Sequence, residues 1–194
     1  MAKKIAIIGS GNVGSALTRG FARGGHQIKA TGHDENAVKE LAAWADVVVL
    51  AVPFKALDEV VRELGGAADG KPLVDVTNAL GPNMNLALGF TTSGAEELQK
   101  KLPRTQVVKA FNTVFAARMD SGRLGEERLS AFVASDHSQA KKTVLELAQD
   151  IGFDPVDAGP LSNARVLEPM AVLNIHLGYT MKMGTDIGFK LLHR

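Results

Sequence analysis

The chain has 194 residues, 45% of them hydrophobic, and 22 basic against 21 acidic side chains leave a net charge of +1. That length suits one full domain with a small appendage, and the even charge argues against nucleic acid as a partner. Cysteine is absent, which excludes disulfides, thiolate catalysis and cysteine metal sites. No apolar run approaches the ~20 residues that a membrane-spanning helix needs. The N-terminus enters a strand pattern without a signal-peptide pattern, so a cytoplasmic protein away from membranes is expected.

Taken in order, Lys4–Ile8 is an apolar β-branched run and reads as the first strand. Gly9-Ser10-Gly11-Asn12-Val13-Gly14 follows, and Val13, Ala16, Leu17, Gly20 and Phe21 then recur with a helical period that Gly24-Gly25 ends. His26–Thr31 is a second strand and Asn36–Trp44 a short helix. Asp46–Val52 is continuously apolar, as a parallel strand buried on both faces requires. Pro53 opens a helix running to about Leu64. Pro72–Val76, Gln106–Phe111 and Leu129–Ala134 read as strands four to six. A helix over His137–Asp150, stopped by Gly152, leads to a short last strand at Phe153–Val156. Gly81–Gly94 is the longest irregular stretch; loops of that length are often functional, the plain alternative being a solvated connection.

Strands alternating with helices predict an α/β fold over residues 1–156, a doubly wound and mainly parallel sheet with ligand at the strands' carboxyl ends. From Asp157 the pattern changes to a small C-terminal helical segment, residues 157–194. Val166, Met170, Leu173, Leu177 and Met181 mark one stripe, and Leu167, Ala171 and Ile175 a second. A helix apolar on two sides is buried on two sides, one against the sheet and the other against a second subunit, so a homodimer is expected. Pro169 must start or kink that helix, and Ser162-Asn163 is expected to cap it, a substrate contact being the alternative.

The glycine motif carries the chemistry. Gly9 permits the tight turn, Gly11 removes a Cβ where a pyrophosphate must touch backbone, and Gly14 lets helix pack on strand. The helix N-terminus supplies free N–H groups and partial positive charge. Asp34 lies about 20 residues past Gly14, the window in which an acid holds the ribose hydroxyls of NAD; a helix N-cap is its structural alternative. Histidines are too scattered for a metal site, His33 with Asp34 being too sparse, and no nucleophile-elbow spacing supports a hydrolytic triad. His26 reads as a loop residue, Trp44 as a helix-to-core anchor, and Met181 and Met183 as core or interface.

The loop Gly9–Gly14 resembles that of the deazaflavin (coenzyme F-420)-dependent NADP oxidoreductases, and of the reductase domain of metalloreductases of the six-transmembrane epithelial antigen type. Further matching segments are Leu50-Ala51-Val52-Pro53-Phe54, Val74–Asn78 and Val108–Thr113, then Asp157–Arg165 and Met183–Lys190. The resemblance implies a Rossmann-type fold with a C-terminal substrate domain. It also implies hydride transfer between NADP or NAD and a deazaflavin or flavin-like acceptor, coenzyme F-420 or FMN, with no side chain acting as acid or base. Cofactor-binding positions implied are Gly9, Ser10, Gly11, Asn12, Val13, Gly14, Gly32, His33, Asp34, Ala51, Val52, Pro53, Phe54, Asn78, Phe111, Asn112 and Thr113.

Two departures bear on specificity. The family holds the 2′-phosphate with Ser-Arg and a nearby Lys; Gly32, His33 and Ala37 stand there here, and Asp34 repels a phosphate, which favours NAD, while Lys29 or Lys39 can compensate for NADP, so both are expected cofactors. Asn112 replaces the deazaflavin enzymes' His, as in the metalloreductases; it either orients the carboxamide or ribose, or caps the next helix. Phe115 replaces a family Pro, and Phe54 lines the cleft or packs in the core. Alternatives to the deazaflavin reductase are an NAD(P)H-dependent flavin or ferric reductase and a non-catalytic dinucleotide-binding sensor.

Overall fold

A computed structural model describes residues 1–32 and 35–192. Its centre is a five-stranded parallel sheet of β1 (Lys4–Ile8), β2 (Gln27–Thr31), β3 (Val47–Leu50), β4 (Pro72–Asp75) and β5 (Gln106–Lys109), in the spatial order β2-β1-β3-β4-β5. The period-2 alternation of a strand divides each apolar run between two cores. Ile5, Ile7, Val47, Val49, Val74 and Val108 face α1 (Asn12–Arg23) and the later α6 (Ser138–Asp150). Ala6, Ile8, Val48, Leu50, Leu73 and Val107 face α2 (Glu35–Trp44), α3 (Leu57–Leu64) and α4 (Gly94–Lys101). Burial on both faces is what the unbroken Val47-Val48-Val49-Leu50 run encoded, each such side chain contributing about 1.5–3 kcal/mol.

The first half follows the expected pattern closely, with one difference: Pro53 introduces a single 3-10 turn, Phe54–Ala56, before α3 begins at Leu57. Within the Gly81–Gly94 stretch lies a turn at Pro82–Met84 in which Asn83 and Met84 both take positive φ, 58° and 59°. The helix α4, which the sequence reading passed over, is capped by Ser93, whose Oγ accepts from Glu96 N at 3.2 Å and donates to Glu96 Oε2 at 2.8 Å.

Leu129–Ala134 does not become a sixth parallel strand of the main sheet. The connection after β5 holds only the four-residue α5 (Ala116–Met119) and a hairpin of β6 (Arg123–Leu124) with β7 (Glu127–Arg128). A parallel return usually runs through a crossover helix packed on the sheet, and α5 is a single turn. Instead β8 (Ser130–Val133) meets β5 through one antiparallel bridge, Lys109 with Ala134, and pairs in parallel with β9 (Asp154–Asp157) across α6.

A turn at Leu161–Asn163 leads into α7 (Ala164–Ile175), which continues as a π-type turn, His176–Thr180. Pro169 neither starts α7 nor is excluded from it; it stands inside. Proline has no N–H for the carbonyl four residues earlier, and that carbonyl, Arg165 O, accepts from Phe90 N at 3.4 Å. Asn163 occupies the cap position without capping, because its Nδ2 donates to Ala158 O at 2.6 Å. Leu167 and Ala171 are buried, whereas Val166 and Leu173 are 57% and 53% exposed. The tail then straps β8: Ser130 N donates to Phe189 O, and Leu191 N to Ser130 Oγ, both at 2.9 Å.

Candidate functional site

The strand order reverses between β1 and β3, and in doubly wound sheets the crevice at that point receives the ligand. The G-x-G-x-x-G turn sits there. Gly9 has φ +117°, donates to Thr31 O at 2.8 Å, and a Cβ on it would lie 2.2 Å from Ala51 O. A Cβ on Gly14 would lie 1.9 Å from Gly9 O, so this glycine is required by packing alone. Gly11 differs: nothing lies within 4 Å of a Cβ built there. The fold makes no demand for glycine at that position, while a group seated against the backbone would. Helix α1 starts at Asn12 without a side-chain cap and without an acidic residue in its first turn, leaving N–H groups and the positive dipole end for an anion.

A recess of about 440 Å³ opens at this point. Gly11, Asn12 and Val13 form one wall, Ala51, Val52, Pro53 and Phe54 beyond β3 another, and Thr77 and Asn78 beyond β4 the floor. Asn12, Val13, Asn78 and Leu80 are shared with a second recess of about 280 Å³, whose far wall is Ala171, Asn174 and Ile175 of α7 together with Tyr179. Phe115 and Tyr179, whose rings meet edge to face at 5.6 Å, also border a third hollow of about 360 Å³ beside Ser15 and Arg19. The cleft therefore runs from the glycine turn to the C-terminal helix.

Asn112 stands at the junction. Its Nδ2 donates to Asn78 Oδ1 and to Leu167 O, both at 3.0 Å, and Asn78 Nδ2 donates to Asn112 O at 3.2 Å. Those acceptors fix the amide's orientation and leave Asn112 Oδ1 buried without a hydrogen-bond partner among the described residues. Such an acceptor suits an amide or hydroxyl donor brought by a ligand. Behind it lies a fully buried charge cluster. Lys109 Nζ reaches Asp75 Oδ2 at 2.9 Å, Glu168 Oε1 at 2.9 Å and Thr77 O at 2.6 Å. Burial pushes the Lys109 ammonium pKa down, but the carboxylates of Asp75 and Glu168 outweigh it and hold it above the usual lysine value.

Of the positions expected to touch cofactor, Gly11, Asn12, Val13, Ala51, Val52, Pro53, Phe54 and Asn78 line the first recess, and Asn112 the second. Gly9 and Gly14 build the turn. Ser10 is exposed, and its Oγ would sit 3.2 Å from a Cβ on Gly32. Phe111 has φ +62°, and its ring turns inward, 1% exposed, against Phe21 and Phe153, which leaves its backbone toward the strand end. Thr113 is likewise buried, contributing its carbonyl to Asn174 Nδ2 at 3.1 Å. His33 and Asp34 lie outside the described residues. Lys29, a candidate for compensating charge, holds its ammonium 4.7 Å from the Trp44 ring centroid. Trp44 packs against the second core as expected. His26 lies in the loop before β2 as expected, and it is also buried, accepting from Lys3 N at Nδ1 (3.2 Å) and facing Asp150 with Nε2 (3.2 Å). Met181 and Met183 are exposed rather than core. Sequence reasoning missed Thr77, Asn174 and Tyr179, and above all Lys109 with Asp75 and Glu168. The signal was present, since a Lys and an Asp interrupt strands otherwise apolar enough to be buried on both faces.

Among the described residues no helix is long and apolar enough to cross a membrane, and no group of three or more His, Asp or Glu is placed to hold a metal. The family model described as NADP oxidoreductase, coenzyme F420-dependent, matches residues 4–43 and 35–79. The F420-dependent NADP reductase of Methanocaldococcus jannaschii is 30% identical over 157 residues, covering 77% of this chain and 70% of that protein. Metalloreductase STEAP3 of Rattus norvegicus is 29% identical over 86% of this chain, which spans only 36% of that protein's length. A solved structure from Arthrobacter sp. FB24, provisionally assigned as an F420-dependent NADP reductase, superposes with a TM-score of 0.89 at 27% identity, covering 99% of this chain and all of that one. With its Rossmann-type sheet, glycine turn and helical C-terminal region, this chain belongs to the coenzyme F420-dependent NADP oxidoreductase family of enzymes.

Proposed function

We propose that this protein transfers a hydride between NADPH or NADH and a deazaflavin or flavin-like acceptor. The observation that carries the reading is the continuity of the cleft. The glycine-turn recess and the recess under α7 share Asn12, Val13, Asn78 and Leu80, so ligands bound in the two would be neighbours. A dinucleotide fits the first because Gly11 leaves open a space that a Cβ would fill and α1 starts uncapped. Gly11, Asn12 and Val13 would hold the pyrophosphate, and Ala51 to Phe54 with Asn78 would line its path. Asn112 Oδ1 would accept from the carboxamide or ribose. When bound, the nicotinamide supplies the hydride.

The chain's own work is to orient and to exclude water. No cleft side chain need take up or release a proton, because a hydride transfer between stacked rings is governed by distance and alignment. Phe54, Phe115 and Tyr179 give the cleft apolar walls that suit a planar acceptor. The exposed stripe of Val166 and Leu173 supports a homodimer built on α7. A second reading, reduction of flavin with ferric ion as final electron sink, is favoured by the metalloreductase likeness. Titration of NADH and NADPH, each with coenzyme F-420, FMN or a ferric chelate as acceptor, tests both. Oxidation of NADPH or NADH coupled to reduction of the deazaflavin is expected; turnover only with FMN or iron selects the second reading, and dinucleotide binding without turnover on any acceptor leaves a sensor.

A further inference from the structure

The charge cluster at Lys109 is placed where no stability argument requires it. Its ammonium spends all three donors on three segments: Asp75 at the end of β4, Thr77 O in the loop that floors the first recess, and Glu168 in α7. Glu168 is itself anchored, Oε2 accepting from Gly94 N at 3.0 Å and Oε1 from Ala95 N at 3.3 Å, at the N-terminus of α4. Asp75 Oδ1 also accepts from Thr77 N at 2.9 Å. Lys109, Asp75 and Glu168 are all 0% exposed. One residue before Glu168, Leu167 O takes the Asn112 amide, and Asn112 in turn holds Asn78. Residues 75–78, 109–112 and 167–168 thus form a connected set of directional contacts directly behind the cleft wall at Thr77, Asn78 and Asn112.

Taking the cleft as the two-ligand site proposed above, we infer that Lys109 and Glu168 are positioning residues: their buried ion pair sets how far α7 stands from the carboxyl edge of the sheet, and thereby where Asn112 presents its free oxygen. An apolar contact between α7 and the sheet would hold the same surfaces with more freedom to slide, whereas charge-assisted hydrogen bonds fix distance and direction. The cluster carries two carboxylates and one ammonium. The N–H groups of Gly94 and Ala95, at the positive end of α4, balance the excess negative charge, so four elements rather than two are locked together.

The test is Glu168→Gln, which keeps the shape and removes the charge, with Glu168→Asp as the charged but shortened companion. Three readouts are taken: dinucleotide Kd from nicotinamide fluorescence, kcat and KM for the acceptor, and backbone amide exchange. A displacement of order 1 Å at the reacting centre costs about 10- to 100-fold in rate. Glu168→Gln is therefore expected to lower kcat by about that factor while the dinucleotide Kd stays within about twofold. Exchange is expected to rise at 77–80 and 94–96 and to stay unchanged at 9–14. Glu168→Asp is expected to fall between wild type and Gln. An unchanged kcat with unchanged exchange overturns the inference. So does a uniform loss of nucleotide affinity, kcat and protection, or failure of both variants to fold, since each marks bulk stability instead. A wild-type chain that binds neither dinucleotide overturns the parent reading, and the exchange pattern still decides whether the ion pair holds the seam.

Discussion

Replacing Gly11 by alanine separates the demands of the fold from those of a ligand. A methyl there meets nothing within 4 Å, and the backbone, φ −71° and ψ −171°, is open to any residue. Restricting the unfolded chain favours alanine by about 0.4–1 kcal/mol, while the preference for glycine over alanine at a helix N-cap opposes it by a similar amount. The net change in stability is within about 1 kcal/mol, or roughly 2–4 °C in Tm for a chain of this size. Dinucleotide binding should respond quite differently. The methyl would fill the space where pyrophosphate approaches the start of α1. Losing one charge-assisted hydrogen bond costs about 1.5–3 kcal/mol, which raises Kd roughly 10- to 150-fold. Gly14→Ala is the contrasting variant: its methyl would lie 1.9 Å from Gly9 O, so Tm should drop by an amount corresponding to at least ~1–3 kcal/mol. Thermal melts and fluorescence titration of NADPH and NADH give both quantities. Wild-type affinity in Gly11→Ala, or a Tm loss matching that of Gly14→Ala, refutes the assignment of the pyrophosphate to this turn.

Asp34→Arg should tighten NADPH more than NADH, because it replaces a repelling carboxylate with a phosphate-binding fork; equal effects on the two would remove Asp34 from the specificity argument. Glu96 receives a bidentate hydrogen bond from Arg165, at 2.6–3.1 Å, joining α4 to α7. That bond holds its pKa below the ordinary 4.5. A depressed folded pKa means stability present above 4.5 and lost as pH falls through the folded value. The Tm gap between wild type and Glu96→Gln should therefore be widest above 4.5 and close in more acidic buffer, and a gap independent of pH contradicts the linkage. Leu173→Glu places a charge on the exposed stripe of α7 without disturbing the monomer's core; sedimentation should shift from dimer to monomer, and an unchanged sedimentation coefficient removes that stripe from the interface.

Much of this molecule is written in local pattern. The β-branched run, the glycine turn and the helical period of Val13 to Phe21 predicted β1, the crevice and α1, since each depends on neighbours within a few residues. The two stripes of α7 separated as the periodicity required, Leu167 and Ala171 inward, Val166 and Leu173 outward. Other features went beyond local pattern. Phe111 follows strand β5 and resembles a cofactor contact in sequence; a positive φ turns its ring into the core between Phe21 and Phe153 and leaves its backbone toward the strand end. Leu129–Ala134 has the composition of a parallel strand, but the connection before it folds into a four-residue helix and a small hairpin in place of a crossover helix, and β8 meets β5 through one antiparallel bridge.

The sequence by itself determined the sheet's strands, the pyrophosphate-type turn and the apolar two-sidedness of the C-terminal helix, because hydrophobic period and glycine sterics act over short spans of chain. Only the tertiary structure decided how that helix is fixed to the sheet. Lys109, Asp75 and Glu168 stand 34 and 93 positions apart in the chain (109 − 75 and 168 − 75) and gain meaning only when folding removes all three from water. A buried charge must find its partners wherever the chain brings them, and no window of sequence reveals that those partners meet directly behind the wall of the cleft.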